Sequence, residues 1–458
     1  MPENQNLSIQ NNPRPMASFI HHIEWCVENL EETEKCLSDK YGFKLISQRD
    51  IYHSNLAYSD RNIIAVSQKV LQSGKTVFIL TKNNCQKEDI VDVGQNASYP
   101  SFTCCSYEKV HKRDSVFNIC LEVKDVDAVT KRIIEYDDDG NAAILTQPTN
   151  IYYGKDCRLR FSVVRSKCGN IIHTLINTRD YRQATNVPFL PGFVDINETT
   201  ISSSHQSVNK LHPLTSFIDH VTYVCHFGES KKILDWYKSC FGMERFLISE
   251  AEKAEDDGVE IGGDVGMRLT VGKWMSSWMC REEGVKFGDS ECNDEHLNFK
   301  LVLAEPMEGY TNCHVQQFID AHGGPGIQHI GLTAVKNISE VVRVMTQCGA
   351  DFRKPPPAYY KLNYKRREIL EINESLSNFQ SLGLLIDSEV DFCNSDNEDK
   401  RTKRTKDKNV LIQVFTKPIF KENTFFLEIL ERRGARGFGA GNITALAKSI
   451  ILQEKTTS

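Results

Sequence analysis

The sequence predicts an α+β chain of four βαβββ modules paired into two open barrels. Two repeats and the length carry this reading. His22-Ile23-Glu24-Trp25-Cys26-Val27 and His220-Val221-Thr222-Tyr223-Val224-Cys225 each read as a strand followed by a helical stretch. Each then reaches a glycine turn, Gly42 and Gly242, at offsets of 20 and 22 residues from the histidine. A second kind of strand opening recurs at Phe117–Val123 and Ile327–Leu332, ahead of helical patterns near 126–133 and 338–345. Repeats on this scale decide an architecture before single elements do, and 458 residues give length for more than one core.

The halves are read as 16–180 and 214–458, with 181–213 as the link. Pro188, Pro191 and Gly192 interrupt regular structure there, and 198–209 is rich in Ser and Thr. Segments 86–113 and 250–295 read as polar insertions. Segment 388–409 runs acidic and then basic, as solvated disordered stretches do.

A net charge of −6 implies no basic face for nucleic acid. No apolar run approaches the ~18 residues of a spanning helix. The 15 cysteines form no Cys-x-x-Cys pair and no regular spacing, which predicts reduced intracellular thiols.

Three strands carry the chemistry. Phe217–Val224 holds His220 mid-strand. The turn Gly323-Gly324-Pro325-Gly326 feeds Ile327–Leu332, which holds His329, and Phe425–Leu430 holds Glu428. On an alternating strand Glu428 shares its face with Phe426 and Leu430. A carboxylate buried there needs a cation, either Arg432 or Arg433 or a metal ion. One mid-strand histidine is more often a satisfied core residue than a ligand. Two at equivalent module positions, with a mid-strand glutamate, match the facial set of non-haem Fe(II) oxygenases. Spacings of 109 and 99 residues exclude a local finger, so strands must bring the three together.

The N-terminal half does not repeat the set. Asn118 stands where His329 would be, and the strand Ile171–Ile176, with His173, has no carboxylate. One Fe(II) per chain and a structural N-terminal half are therefore expected. His21, His111, His212, His226, His296, His314 and His322 are read as surface residues. Gly437-Phe438-Gly439-Ala440-Gly441-Asn442 has no βαβ unit after it, so it reads as a hinge before a helix over 443–453 and not as a dinucleotide loop.

The blocks Gly323–Leu332, Leu411–Pro418 and Thr424–Asn442 resemble the 4-hydroxyphenylpyruvate dioxygenase family of the vicinal-oxygen-chelate fold. Pro188–Phe193, Val302–Pro306 and Pro357–Tyr360 match more weakly. The likeness is dense in the C-terminal half, and nearest to the branch of 4-hydroxyphenylpyruvate dioxygenase-like proteins. It implies that His220, His329 and Glu428 hold Fe(II), with a 2-oxo acid and dioxygen as substrates. It also implies pocket amides at Gln316, Gln328 and Gln413, and pocket aromatics at Phe415, Phe426 and Phe438. Phe415 and Phe426 would sandwich the substrate ring. Val302 and Ala304 stand where tyrosine-degrading members have a proline and an asparagine, which marks them as specificity positions.

The product implied is 4-hydroxymandelate, for quinone head-group synthesis. The alternatives are homogentisate and a non-catalytic metal-binding scaffold. A homodimer is allowed. The resemblance implies a mitochondrial address, with the cytoplasm as alternative, because Met1–Pro15 has Arg14 as its sole basic residue and lacks the Arg- and Ser-rich presequence pattern.

Overall fold

The computed structural model describes residues 17–52, 64–84, 114–153, 157–196, 213–246, 258–261, 266–274, 300–311, 313–389, 409–435, 437–446 and 449. In the N-terminal half the strands are β1 (Ala17–Cys26), β2 (Lys44–Tyr52), β3 (Ile64–Ser73), β4 (Thr76–Asn83), β5 (Ser115–Val123), β6 (Ile144–Tyr153), β7 (Cys157–Arg165), β8 (Ile172–Asn177) and β9 (Val194–Asp195). The helices are α1 (Leu30–Tyr41), α2 (Val126–Tyr136) and α3 (Arg179–Gln183). The C-terminal half has β10 (Thr215–Val224), β11 (Met243–Arg245), β12 (Val259–Ile261), β13 (Met267–Trp274), β14 (Lys300–Pro306), β15 (Gly326–Ala334), β16 (Leu385–Glu389), β17 (Asn409–Phe415) and β18 (Phe426–Arg433). Its helices are α4 (Ser230–Phe241), α5 (His314–His322), α6 (Ile338–Gln347), α7 (Asn363–Glu371) and α8 (Leu376–Leu382).

Each half is one mixed sheet, ordered β6-β7-β8-β5-β1-β4-β3-β2-β9 and β11-β13-β14-β10-β15-β18-β17-β16, with β12 on β13. Both are built alike. Two modules join through their antiparallel first strands, β1 with β5 and β10 with β15, and each first strand is parallel to the last of its own module. This is the α+β, tandem-module architecture that the sequence repeats predict. Helix ends repeat as well. Asn29 caps α1 by accepting from the Glu32 N–H, and α1 and α4 both stop at a left-handed glycine, Gly42 and Gly242.

Strand alternation sorts the side chains into two environments. Ile23 and Trp25 of β1, and Val221 and Tyr223 of β10, enter a core common to both halves. There α2 packs on α4 and α1 on α6. Trp25 is fully buried, with Phe78 at 4.7 Å and Phe425 at 4.8 Å between ring centroids, so it ties the halves together. The opposite faces line the two barrel interiors. One is filled by Phe117, Leu159, Phe161, Leu190 and Phe193, and the other is walled by Val224, Leu269, Val271, Val302 and Ala304. The halves also touch at the turn that feeds β15. A Cβ on Gly169, whose φ is +55°, would fall 2.2 Å from the Pro325 carbonyl oxygen, and Ser115 Oγ is 3.1 Å from His322 Nε2.

Three sequence boundaries need correction. Part of the segment read as a link is sheet and core, because β9 pairs with β2 while Leu190 and Phe193 fill the N-terminal barrel. The segment 250–295 read as insertion contains β12 and β13, and β13 pairs with β14 from Met267 to Lys273. Its charged and glycine positions, Arg268, Gly272 and Lys273, mask the inward Leu269 and Val271. Residues 388 and 389 end β16, and 409 begins β17. Segment 86–113 and the rest of those two segments lie outside the described residues, as do His111, His212 and His296.

Removing the ring that joins the halves should be costly. Trp25→Ala is expected to lower stability by about 3–5 kcal/mol in urea unfolding. Trp25→Phe should lose distinctly less, because the Trp25 indole N–H has no partner among the described residues.

Candidate metal centre

The register places the site. On the concave face of the C-terminal sheet, His220 lies opposite Gly331, Gly331 beside Glu428, and Glu428 opposite Phe415. In the next row Thr222 lies opposite His329, and His329 beside Phe426. Strands far apart in sequence thus bring His220, His329 and Glu428 together, with one donor atom from each within 4.8 Å of the others. Glu428 Oε2 is 3.2 Å from His220 Nε2 and 3.5 Å from His329 Nε2.

Two local devices aim the ligands. The first is a β-bulge. Ile218 pairs with Leu332 and His220 with Gly331, so Asp219 is an extra residue and turns toward the same side as His220. His220 Nδ1 donates to Asp219 Oδ1 at 2.9 Å, which leaves Nε2 facing Glu428. The second is the bare Cα of Gly331. A Cβ there would fall 2.3 Å from His220 Cε1, so only glycine leaves room for the ring.

The charges are arranged around Asp219. It accepts two bonds from Arg432, both at 2.8 Å, and one from Lys300 at 3.1 Å. Burial alone would raise its carboxyl pKa, but Lys300, Arg432 and His220 hold it well below the usual carboxylate range. Burial lowers His220, and Glu428 and Asp219 outweigh it to give a raised value. His329 is held well below the ordinary imidazole value by burial, then by His220, His314 and Arg353. Arg432 is spent on Asp219, and Arg433 on Glu431 and Glu374. Neither is the counter-ion of Glu428. Among the described residues the partners of Glu428 are two imidazoles, a donor set that fits a metal cation.

No family model matches the chain. It is 29% identical over 385 residues to the 4-hydroxyphenylpyruvate dioxygenase-like protein of Rattus norvegicus, covering 84% of this chain and 86% of that protein. It is 25% identical over 438 residues to 4-hydroxyphenylpyruvate dioxygenase of Danio rerio, covering 94% and 89%. A mutant 4-hydroxymandelate synthase from Streptomyces coelicolor shares the fold, with a TM-score of 0.64 and 21% identity over 96% of this chain and 99% of that one. The chain is similar to proteins of the 4-hydroxyphenylpyruvate dioxygenase family.

The remaining positions expected from that family fall in three groups. Gln328 and Gln413 are buried by the triad. Gln328 Oε1 is 3.2 Å from His329 Nδ1, and Gln413 Oε1 has no partner among the described residues. Val302 lies beside Thr222 and Ala304 beside Val224, both in the apolar wall. Phe438 sets its ring edge-on to His220 at 5.2 Å, on a segment anchored by Arg432 through the Gly437 carbonyl at 2.6 Å. That segment is helical from 440.

Two expectations change. Phe415 and Phe426 are perpendicular, at 89° and 5.8 Å, so they form a corner and not two parallel plates. Phe426 instead stacks on His329 at 4.8 Å. Gln316 is turned away, donating to Asp320 at an exposed point of its own helix. The sequence reading missed Asp219 and Arg353, whose guanidinium lies 4.8 Å over Phe426. It also placed His21 on the surface, where the structure buries it, and His322 is half-buried between Ser115 and the Gly324 carbonyl.

Asp219→Asn should weaken Fe(II) binding by about 10–100-fold, read by titration of the metal-free protein. Gly331→Ala should give a similar loss and a lower thermal midpoint, since its methyl displaces the buried His220 ring from its Asp219 bond.

Proposed function

We propose that the chain is an Fe(II)-dependent dioxygenase. In this reading it decarboxylates 4-hydroxyphenylpyruvate and hydroxylates the benzylic carbon to give 4-hydroxymandelate. The observation that carries the metal is the convergence of two imidazoles and one carboxylate, with the His220 ring seated against the bare Cα of Gly331. Fe(II) held there by His220, His329 and Glu428 would supply a chelating centre for the 2-oxo acid and the redox chemistry for dioxygen.

The other residues position and enclose. Phe415 and Phe426 offer two walls at right angles, which fix an aromatic ring in one corner. Gln413 can take a phenol hydrogen at its unpartnered oxygen. Phe438 closes the side over His220 and excludes water from the reacting centre. Specificity rests on geometry, because ring and benzylic carbons differ only in their distance from the metal. The wall of Val224, Leu269, Val271, Val302 and Ala304 is apolar throughout. It offers no side-chain amide, and the hydroxyl of Thr222, beside Val302, has no partner among the described residues. We take the missing amide at Ala304 as support for benzylic attack.

The metal-free protein reconstituted with Fe(II) without oxygen, then given 4-hydroxyphenylpyruvate and oxygen, should release 4-hydroxymandelate. Glu428→Ala should abolish turnover, and Ala304→Asn should move product toward homogentisate. Homogentisate from the unaltered chain would overturn the benzylic assignment. Bound iron without turnover would favour a metal-binding role or another substrate.

A further inference from the structure

The bulge of the metal centre recurs in the N-terminal half with different side chains. Ile20 pairs with Leu121 and His22 with Cys120, so His21 is the extra residue and both imidazoles turn toward one cysteine. Position by position, His22 matches His220, His21 matches Asp219, and Cys120 matches Gly331. Where one half has a carboxylate and a bare glycine, the other has an imidazole and a thiol.

The three side chains converge. One donor atom from each of His21, His22 and Cys120 lies within 4.8 Å of the others, and all three residues are buried. The two Nδ1 atoms are 2.8 Å apart. The positions matching His329 and Glu428 are Asn118 and Thr174, which bond each other at 3.0 Å. Asn118 also donates to Glu24, and Glu24 accepts from Gln68 and Thr81. Those groups satisfy one another, and the donors that converge at the bulge are the two imidazoles and the thiol.

We propose that His21, His22 and Cys120 form a second metal site, for a thiophilic ion, Zn2+ or Cu+. Two nitrogens and one sulfur suit these ions better than Fe(II) or Mg2+. A tetrahedral Zn2+ has Zn–N of about 2.0–2.1 Å and Zn–S of about 2.3 Å, which calls for only a small opening of the histidine pair. The His21 and His22 Nδ1 atoms bond to each other at 2.8 Å, and an ion would replace that contact. A cavity of about 330 Å3, bordered also by Gln72, Lys75 and Arg182, reaches His21. Binding breaks the Cys120 S–H bond, forms a metal–sulfur bond and releases one proton to solvent.

The test needs no enzyme activity. Metal-free full-length protein is titrated with Co2+ as a stand-in for Zn2+, and thiolate-to-cobalt charge-transfer absorption is followed. The donors of the C-terminal site include no sulfur, and Cys120→Ser separates this band from that of any other thiol. It should saturate at one equivalent, vanish on adding Zn2+, and persist in Glu428→Gln. It should be lost in Cys120→Ser, and Co2+ affinity should fall at least about tenfold in His21→Asn, with circular-dichroism melts showing both variants folded. A parallel titration with Cu+ against a chelating dye decides between the ions. Cu+ retained in a Cys120-dependent way without a cobalt band would assign the site to Cu+. Neither ion bound, or a band that survives in Cys120→Ser, would overturn the proposal.

Discussion

The buried pair of Asp219 and Arg432 holds the catalytic half in working order. Its two parallel hydrogen bonds join β10 to the end of β18, the strand that carries Glu428. Through Asp219 the pair fixes the His220 ring, and through Arg432 it fixes the backbone of Gly437, next to Phe438. A charge pair of this kind is expensive to desolvate, and breaking one partner exposes the full penalty. Its role here is orientation. It sets which imidazole nitrogen faces the centre and where the closing aromatic sits, and net stability is secondary to both.

The two halves share a topology and use it differently. The C-terminal concave face keeps aliphatic walls, and the bare Cα of Gly331 seats the His220 ring among them. At the corresponding place the N-terminal face is occupied by its own side chains. Arg49 donates to Gln68 and lies over Phe193 at 4.3 Å, while Gln68, Thr81 and Asn118 surround Glu24. Burial raises the Glu24 carboxyl pKa against those four partners. That barrel satisfies its own polar groups around Glu24, and at the bulge two imidazoles and a thiol converge.

Much of this was legible in the sequence, for reasons of period. Lone polar residues on apolar strands show themselves, so His220, His329 and Glu428 stand out before any contact is known, and the helix–glycine repeat gives the modules. What stayed hidden was whatever breaks the period of two. An extra residue at each bulge turns Asp219 toward His220 and His21 toward His22, and alternation assigns both to the wrong face. The strand β13 was hidden by its own charges and glycine. Arg353 could not be found either, because its place over Phe426 depends on a chain crossing 73 residues away from that ring.

The contact between Gly169 and Pro325 gives the N-terminal half a part in the chemistry that its own residues do not reveal. The turn leading into the His329 strand rests on a backbone surface with no slack, since even a methyl group at 169 would overlap the Pro325 carbonyl. Lesions at such a support would look, in a survey of inherited variants, like faults of the distant triad. The half that holds no part of the triad is in that sense the bench on which the other half is aligned.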